Sequence, residues 1–153
     1  MRYQVVFERA LEAVDAKSRT ARDRLRRYVA LYDSVMRDDR MCLCGMFAAE
    51  YATLPPAMQQ ELRRFFDANE HWLTAVLEQG RQARELSFRD SPRERARLFL
   101  GALEGAMLVA RSYKDDRRFR VAAKHLLADL HAEAPPDKSR NPVQRRRKVS
   151  SSH

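Results

Sequence analysis

The chain has 153 residues, of which 44% are hydrophobic and 33% are charged, and its formal net charge is +9. A chain of this length can form one domain that buries roughly 68–70% of its unfolded surface. No positively charged start is followed by an apolar core and a small-residue cleavage site, which predicts a cytoplasmic rather than a secreted protein. The two cysteines, Cys42 and Cys44, point about 200° apart on a helix, so a disulfide between them is not expected.

The positive charge is concentrated at the C-terminal end. From residue 133 onward, six Lys or Arg stand against two acids, so this segment carries +4 of the +9. Pro135 and Pro136 stop a helix, and few apolar residues follow, which predicts a disordered tail over 133–153 after a folded domain over 1–132. The basic run at 145–148 leaves two interpretations open, a solvated extension or an arm that contacts phosphates in a salt-sensitive way.

The folded part is predicted to be all-α, because apolar residues recur every three or four positions rather than every two. The six predicted helices cover residues 2–16, 20–37, 41–53, 56–85, 92–113 and 116–132. Pro55 and Pro56 separate the third helix from the fourth, since proline is tolerated in a first turn but not inside a helix. Ser91, Pro92 and Glu94 form the pattern of a capping box, the clearest helix start in the chain.

Two of these helices are apolar on nearly every side. The third reads MCLCGMFAAEYAT, and residues 98–110 of the fifth read LFLGALEGAMLVA with Glu104 as the only charge. A helix of this kind must be covered on more than one face, and this one is too short for a membrane, where about 20 apolar residues are needed. Gly101 and Gly105 leave a groove that a second helix can enter. The fifth helix is therefore predicted to lie between its own core and a second subunit.

Several segments follow one another in a distinctive order: CLCGMFAAEYATL, a diproline, FFDANEHWL, the linker GRQARELSF and SPRERARLFLGALEGAMLVARS. This order, together with LEGAMLVAR at 103–111, resembles the ligand-binding and dimerisation part of the TetR family of bacterial transcriptional regulators over residues 5–130. Regulators of that family begin with a helix-turn-helix domain, which this sequence does not contain. The resemblance therefore implies that operator DNA is bound only through a domain not present in this chain. A miscalled start, a natural truncation and a deliberately shortened chain are all compatible with this.

The resemblance implies a homodimer. The last two helices, in segments 91–113 and 116–132, would pair with their copies as a four-helix bundle, and a two-fold contact of this kind is isologous. The interface residues predicted on this basis are Leu98, Gly101, Ala102, Gly105, Leu108, Phe119, Ala123, Leu126, Leu127 and Leu130.

The resemblance also implies a small-molecule effector in a cavity between the third, fourth and fifth helices. An apolar or aromatic ligand suits the composition, although the same residue types at helical spacing also build an ordinary core. Asn69 interrupts an apolar stripe and must find hydrogen bonds from a ligand or from a neighbouring helix. The candidate wall residues are Met46, Phe47, Tyr51, Phe66, Asn69, Trp72 and Met107.

Two lone acids and the two cysteines raise further hypotheses. Glu50 and Glu104 lie in the apolar helices, and a buried carboxylate needs a partner or a raised pKa. Cys42 and Cys44 either sense oxidants and electrophiles, which requires exposure and a lowered thiol pKa, or fill space as small buried side chains. The partners considered for the acids are Arg63, Arg64, Arg111 and a cationic or hydroxylated effector.

Signatures of catalysis are missing from the sequence. The four histidines lack metal-ligand spacing, and neither a glycine-rich phosphate loop nor a nucleophile elbow is present, so no catalytic residue, metal or cofactor is predicted. Three functions stay open at this point. They are an effector-sensing dimerisation domain, a dimerisation-only module that blocks a full-length paralogue, and a small basic helical protein that binds nucleic acid.

Overall fold

The computed structural model describes residues 2–37 and 42–131, and every regular element within these ranges is helical. The all-α prediction is confirmed. The helices are α1 (Arg2–Lys17), α2 (Ala21–Arg37), α3 (Leu43–Ala49), α4 (Pro56–Gln82), α5 (Pro92–Ser112) and α6 (Arg117–Asp129), with a 3₁₀ turn at Tyr51–Thr53.

Helices α4 and α5 form the centre of the domain. Helix α5 packs along α4 on one side and along α6 on the other, while α2 contacts all three. Helix α1 rests on α2, and α3 rests on α4. The buried core contains the apolar positions that recur with helical spacing, among them Leu25, Leu73, Leu77 and Leu103. Each such leucine contributes about 1.5–3 kcal/mol through its burial.

The start of α5 follows the predicted capping box. The backbone N–H of Glu94 donates to Ser91 Oγ at 3.2 Å, and the Glu94 carboxylate accepts from the backbone N–H of Ser91 at 3.0 Å. These hydrogen bonds to Ser91 lower the pKa of Glu94. The cap fixes where α5 begins and therefore the register of its two faces.

The third predicted helix is interrupted. Helix α3 ends at Ala49, and a separate 3₁₀ turn follows. The backbone N–H of Glu50 donates to Phe47 O at 3.2 Å, and Thr53 Oγ1 donates to Glu50 O at 2.8 Å, so the chain tightens to three-residue spacing at this point. Glu50 is exposed, and its carboxylate therefore needs no buried partner.

Helix α4 ends three residues before its predicted end. Arg84 adopts a left-handed conformation with φ of 58°, and the N–H groups of Glu85 and Leu86 both donate to Gly80 O. A Cβ on Gly80 would lie 2.5 Å from Leu86 Cδ1 and 2.7 Å from Ala21 Cβ. The absence of a side chain at Gly80 thus lets the α4–α5 connection close onto the start of α2.

The C-terminal predictions fall partly outside the described residues. The tail at 133–153 and its basic run at 145–148 lie there and stay predictions. Helix α6 ends at Asp129, before its predicted end at residue 132, because Leu130 and His131 form a turn and a bend. Within 2–37 and 42–131, no helix combines the length and the apolar character that crossing a membrane requires.

Candidate ligand cavity and pairing face

A cavity of about 370 Å³ opens between α3, α4 and α5. Its volume falls within the range of roughly 300–1,000 Å³ that is common for small-molecule sites. Apolar side chains and small residues make up most of its wall, and one aromatic ring and three charged groups complete it. The lining residues are Gly45, Ala48, Ala49, Phe66, Glu70, Arg97, Leu100, Gly101, Glu104 and Leu108.

Glu104 is a partly buried acid in the wall of this cavity. Its Oε1 lies 3.2 Å from the Tyr32 hydroxyl, and its second hydrogen-bond partner is Cys42. A Cβ on Gly45 would lie 2.5 Å from Glu104 Oε2, so the carboxyl occupies space that a side chain at residue 45 would otherwise fill. Burial, followed by the charge of Cys42, raises the pKa of Glu104 to about 9. The partners of Glu104 within the described chain are thus a tyrosine and a cysteine, not the arginines considered from sequence.

A buried chain of hydrogen bonds, the polar chain, connects Glu104 to Asn69 through two tyrosines. The oxygens of Tyr32 and Tyr28 are 3.2 Å apart, and the Tyr28 hydroxyl donates to Asn69 Oδ1 at 2.9 Å. Asn69 Nδ2 donates to Phe65 O at 2.9 Å, which fixes the orientation of the amide. The expectation that Asn69 finds a hydrogen bond on a neighbouring helix is confirmed.

Two effects of opposite sign act on the pKa of Glu104 at the end of the polar chain. The Tyr32 hydroxyl donates to Glu104 Oε1, and this bond by itself lowers the pKa of Glu104. Burial is the larger effect and raises that pKa, so the carboxyl is neutral near pH 7. Burial also raises the pKa of both tyrosines, which keeps their hydroxyls protonated.

Aromatic rings enclose the polar chain. Trp72 stacks on Tyr28 with ring centroids 5.3 Å apart, and its indole N–H donates to Asp15 Oδ2 at 2.9 Å. Phe7 makes edge contacts with Tyr28 and Tyr32. This covering holds water away from the hydroxyls and strengthens their hydrogen bonds.

Of the seven residues predicted to contact a ligand, Phe66 is the one that lines this cavity. Phe66 lines the cavity, whereas Asn69 and Trp72 bond within the protomer, and Met107 Sδ accepts from the backbone N–H of Cys42 at 3.3 Å. Met46 is exposed, and Phe47 and Tyr51 pack at the edge of the core.

Sequence reasoning missed the charged pair at the cavity wall. Arg97 Nε lies 3.1 Å from Glu70 Oε2 across 27 positions, a separation that leaves no local pattern to read. Glu104 did carry a signal, since it is the only charge in an apolar helix. Gly45 in the apolar third helix was a second signal, because a glycine inside a helix leaves space that another side chain, here the Glu104 carboxyl, can occupy.

The side of α5 that faces away from α4 is apolar, and the described residues leave it exposed. Leu98 is 52% exposed and Val109 49% exposed. Gly101 and Gly105 lie between them on this side, and a Cβ on either would meet no atom within 4 Å. We call Leu98, Gly101, Gly105, Leu108 and Val109 the pairing face. Gly101 and Leu108 also line the cavity, so the two features share part of their wall.

The predicted interface residues on α6 require a correction. Phe119, Ala123, Leu127 and Leu130 line the side of α6 that faces α2, and Phe119 and Leu130 have no exposed surface. Leu126 packs against the same core, and Ala102 on α5 is partly buried. The most apolar stripe of an amphipathic helix faces its own core, and the sequence prediction assigned that stripe to a partner. Val121 and Ala122 are the apolar α6 residues that lie beside the pairing face, together with Arg117 and Arg118.

Both cysteines are free thiols with little exposure, 3% for Cys42 and 6% for Cys44. Their mutual hydrogen bond, followed by burial, raises the pKa of Cys42. Neither thiol therefore has the exposure that the sensing hypothesis requires, and the pKa of Cys42 is raised rather than lowered.

The order of the helices agrees with the all-α regulatory domain that the sequence resembles. A family model described as "Tetracyclin repressor-like, C-terminal domain" matches residues 21–126, and the chain belongs to this family. It is thus the C-terminal domain of a TetR-family transcriptional regulator.

Solved structures share this fold. A TetR-family transcriptional regulator from Agrobacterium tumefaciens superposes with a TM-score of 0.83 at 28% identity, over 86% of this chain and 70% of that one. A regulatory protein TetR from Rhodobacter sphaeroides gives 0.77 at 21% identity, over 84% and 70%. The reduced form of E. coli NemR gives 0.74 at 22% identity, over 87% and 70%. None of the curated protein sequences compared with this chain matches it.

Proposed function

We propose that this domain senses a small apolar or aromatic molecule in the α3–α4–α5 cavity and forms a homodimer through the pairing face. The observation that carries the proposal is that Gly101 and Leu108 belong to both features. A ligand that pushes on either residue changes the surface offered to the second copy. Effector binding and pairing are then coupled, and the coupling acts equally in both directions.

The cavity chemistry favours a ligand with an apolar body and one hydrogen-bonding group. Phe66, Leu100 and Leu108 supply apolar surface, while Glu104 is the polar group without a charged partner among the described residues. Glu70 and Arg97 neutralise each other. A hydroxyl or amine on the ligand would bond to Glu104 and compete with Tyr32 for it, which would alter the link from α5 to α2 and α4.

The pairing face has the properties of a helix-packing surface. Its two glycines allow a backbone to approach closely, and its leucines and valine lose apolar exposure when a second copy covers them. Val121, 56% exposed on α6, extends the apolar surface to the neighbouring helix. A two-fold contact sets each of these residues against the same surface of the partner. In a complete regulator of this family, such a dimer would set the separation of the DNA-binding domains.

Ligand binding is tested by a thermal-shift screen of small aromatic alcohols and amines. A ligand at 100 times its Kd stabilises the folded state by about 2.7 kcal/mol, which raises Tm by several degrees. Ala48→Leu fills the cavity and is expected to abolish the shift. Ala75→Leu on an exposed part of α4 is the matched control and should retain it. Equal shifts in both variants, or none in the unaltered protein, would contradict the cavity assignment.

Pairing is tested by sedimentation equilibrium. The unaltered chain is expected at twice its monomer mass, and Val109→Glu is expected to shift it toward monomer because the carboxylate would be buried between copies. Val6→Glu, which introduces the same charge at an exposed valine of α1, should leave the dimer intact. A monomer at all concentrations, or a dimer unaffected by Val109→Glu, would refute this interface.

A further inference from the structure

A second cavity, of about 500 Å³, lies between α2 and α6 on the side of α6 opposite the pairing face. We call it the α2–α6 groove. Its floor consists of Leu25, Val29, Phe119, Ala123, Leu127 and Leu130, and its rim carries Arg22, Arg26, Arg120, Lys124, Asp33 and His131.

The groove results from the way in which the two helices meet. They run antiparallel, since Arg22 near the start of α2 shares the lining with His131 just after α6, while Arg120 near the start of α6 pairs with Asp33 at 3.4 Å. Ala30 and Ala128 also line the groove, and both are exposed. Their methyl groups are too short to close the gap between the helices.

The rim is strongly cationic. It holds four arginine or lysine side chains and one carboxylate, a net charge of +3 with the histidine neutral. Asp33 is bonded to Arg120, whereas Arg22 Nε donates to the uncharged backbone oxygen of Glu85 at 2.8 Å. Arg26 and Lys124 form no ion pair with any residue of the described ranges.

The pKa of His131 is sensitive to the positive charge at this end of the groove. Its pKa is lowered, first by partial burial and then by the charges of Arg22 and Arg26. A negative group placed on the rim would relieve this repulsion. Apolar floor and cationic rim thus occur in one concavity large enough for a small molecule.

We propose that the α2–α6 groove binds an amphipathic organic anion, a single carboxylate attached to an apolar chain or ring. The apolar part lies on the floor against Val29 and Leu127, which are only partly buried, and the carboxylate lies at the rim with Arg26 and Lys124. Guanidinium groups match the planar geometry of a carboxylate. This site is separate from the Glu104 cavity and does not depend on the function proposed for that cavity.

The test is calorimetric titration of the 153-residue chain with decanoate below its micelle concentration. The double variant Arg26→Gln/Lys124→Gln is expected to bind at least about tenfold more weakly, because two charge-assisted contacts are lost. Decanol, which keeps the apolar chain without the charge, should bind similarly weakly. The charge-matched control Lys17→Gln/Arg93→Gln removes two exposed cations outside the groove and should retain full affinity.

Two further variants locate the site. Ala30→Leu/Ala128→Leu fills the groove with residues that favour a helix and is expected to abolish decanoate binding without unfolding the protein, which circular dichroism checks. Ala48→Leu fills the Glu104 cavity and should leave decanoate binding unchanged. The proposal is overturned if millimolar decanoate does not bind, if decanol binds as tightly, if the groove-filled variant still binds, or if Ala48→Leu abolishes binding.

Discussion

Replacing Glu104 by Gln is expected to remove a pH dependence from the stability of the fold. The pKa of Glu104 is about 9 in the folded protein, against an ordinary value of 4.5. Between these two values the folded state holds a proton that the unfolded state has released. Raising the pH through this interval therefore destabilises the protein, and the loss stops above the folded pKa.

The size of the effect follows from proton linkage. Each pH unit in this interval lowers the free energy of unfolding by at most about 1.4 kcal/mol, so going from about pH 5 to about pH 8 costs about 2–4 kcal/mol once the partial exposure of Glu104 is allowed for. Glutamine keeps the shape of the neutral acid, and its amide oxygen can accept from the Tyr32 hydroxyl as Glu104 Oε1 does. The variant should therefore match the unaltered protein near pH 5 and exceed its stability by this amount near pH 8.

Urea unfolding at a fixed protein concentration measures this difference. Trp72, the one tryptophan of the chain, stacks on Tyr28 beside the polar chain and reports unfolding by its fluorescence. Glu78→Gln, at an exposed position of α4, is the control and should keep the slope of the unaltered protein. If Glu104→Gln shows that same slope, the reasoning about a buried, protonated carboxyl is wrong.

Three further predictions concern the polar chain, the thiols and the helix cap. Tyr28→Phe leaves Asn69 Oδ1 unsatisfied and should lower the free energy of unfolding by about 1–3 kcal/mol in urea titrations, and an unchanged midpoint would argue against the bond. Cys42 and Cys44 should react with iodoacetamide only when the protein unfolds, so rapid labelling of native protein in mass spectra would contradict their burial. Ser91→Ala should cost about 0.5–2 kcal/mol in thermal unfolding while Ser91→Thr costs less, and equal stabilities would show that the cap contributes nothing.

The fold could be predicted from sequence to the extent that local chemistry determines it. Helical spacing, the proline at the first position of α4 and the cap at Ser91 predicted the helix order and two helix starts correctly. The end of α4 was missed because the left-handed residue is Arg84, not the glycine that usually marks a helix end. The interruption at Glu50 was missed because three-residue hydrogen bonding leaves no distinct apolar period.

The candidate site could be predicted only in part. Glu104 and Asn69 were recognisable because each interrupts an apolar stripe, and burial makes such a residue find partners. Their actual partners, Tyr32 and Tyr28, come from another helix, and no spacing within one sequence encodes that contact. The same limit explains the α6 error, since apolarity alone cannot tell which of two neighbours a stripe will cover.

The two residues common to the cavity and the uncovered side of α5 have an evolutionary consequence. In the proposed dimer, a substitution at Gly101 or Leu108 that admits a bulkier ligand would also reshape the surface that the second copy covers. Ligand preference and self-recognition would then change together. If two duplicated genes diverged at these positions, their products would pair poorly with each other. A protein with a new ligand specificity would then form few heterodimers with the original protein.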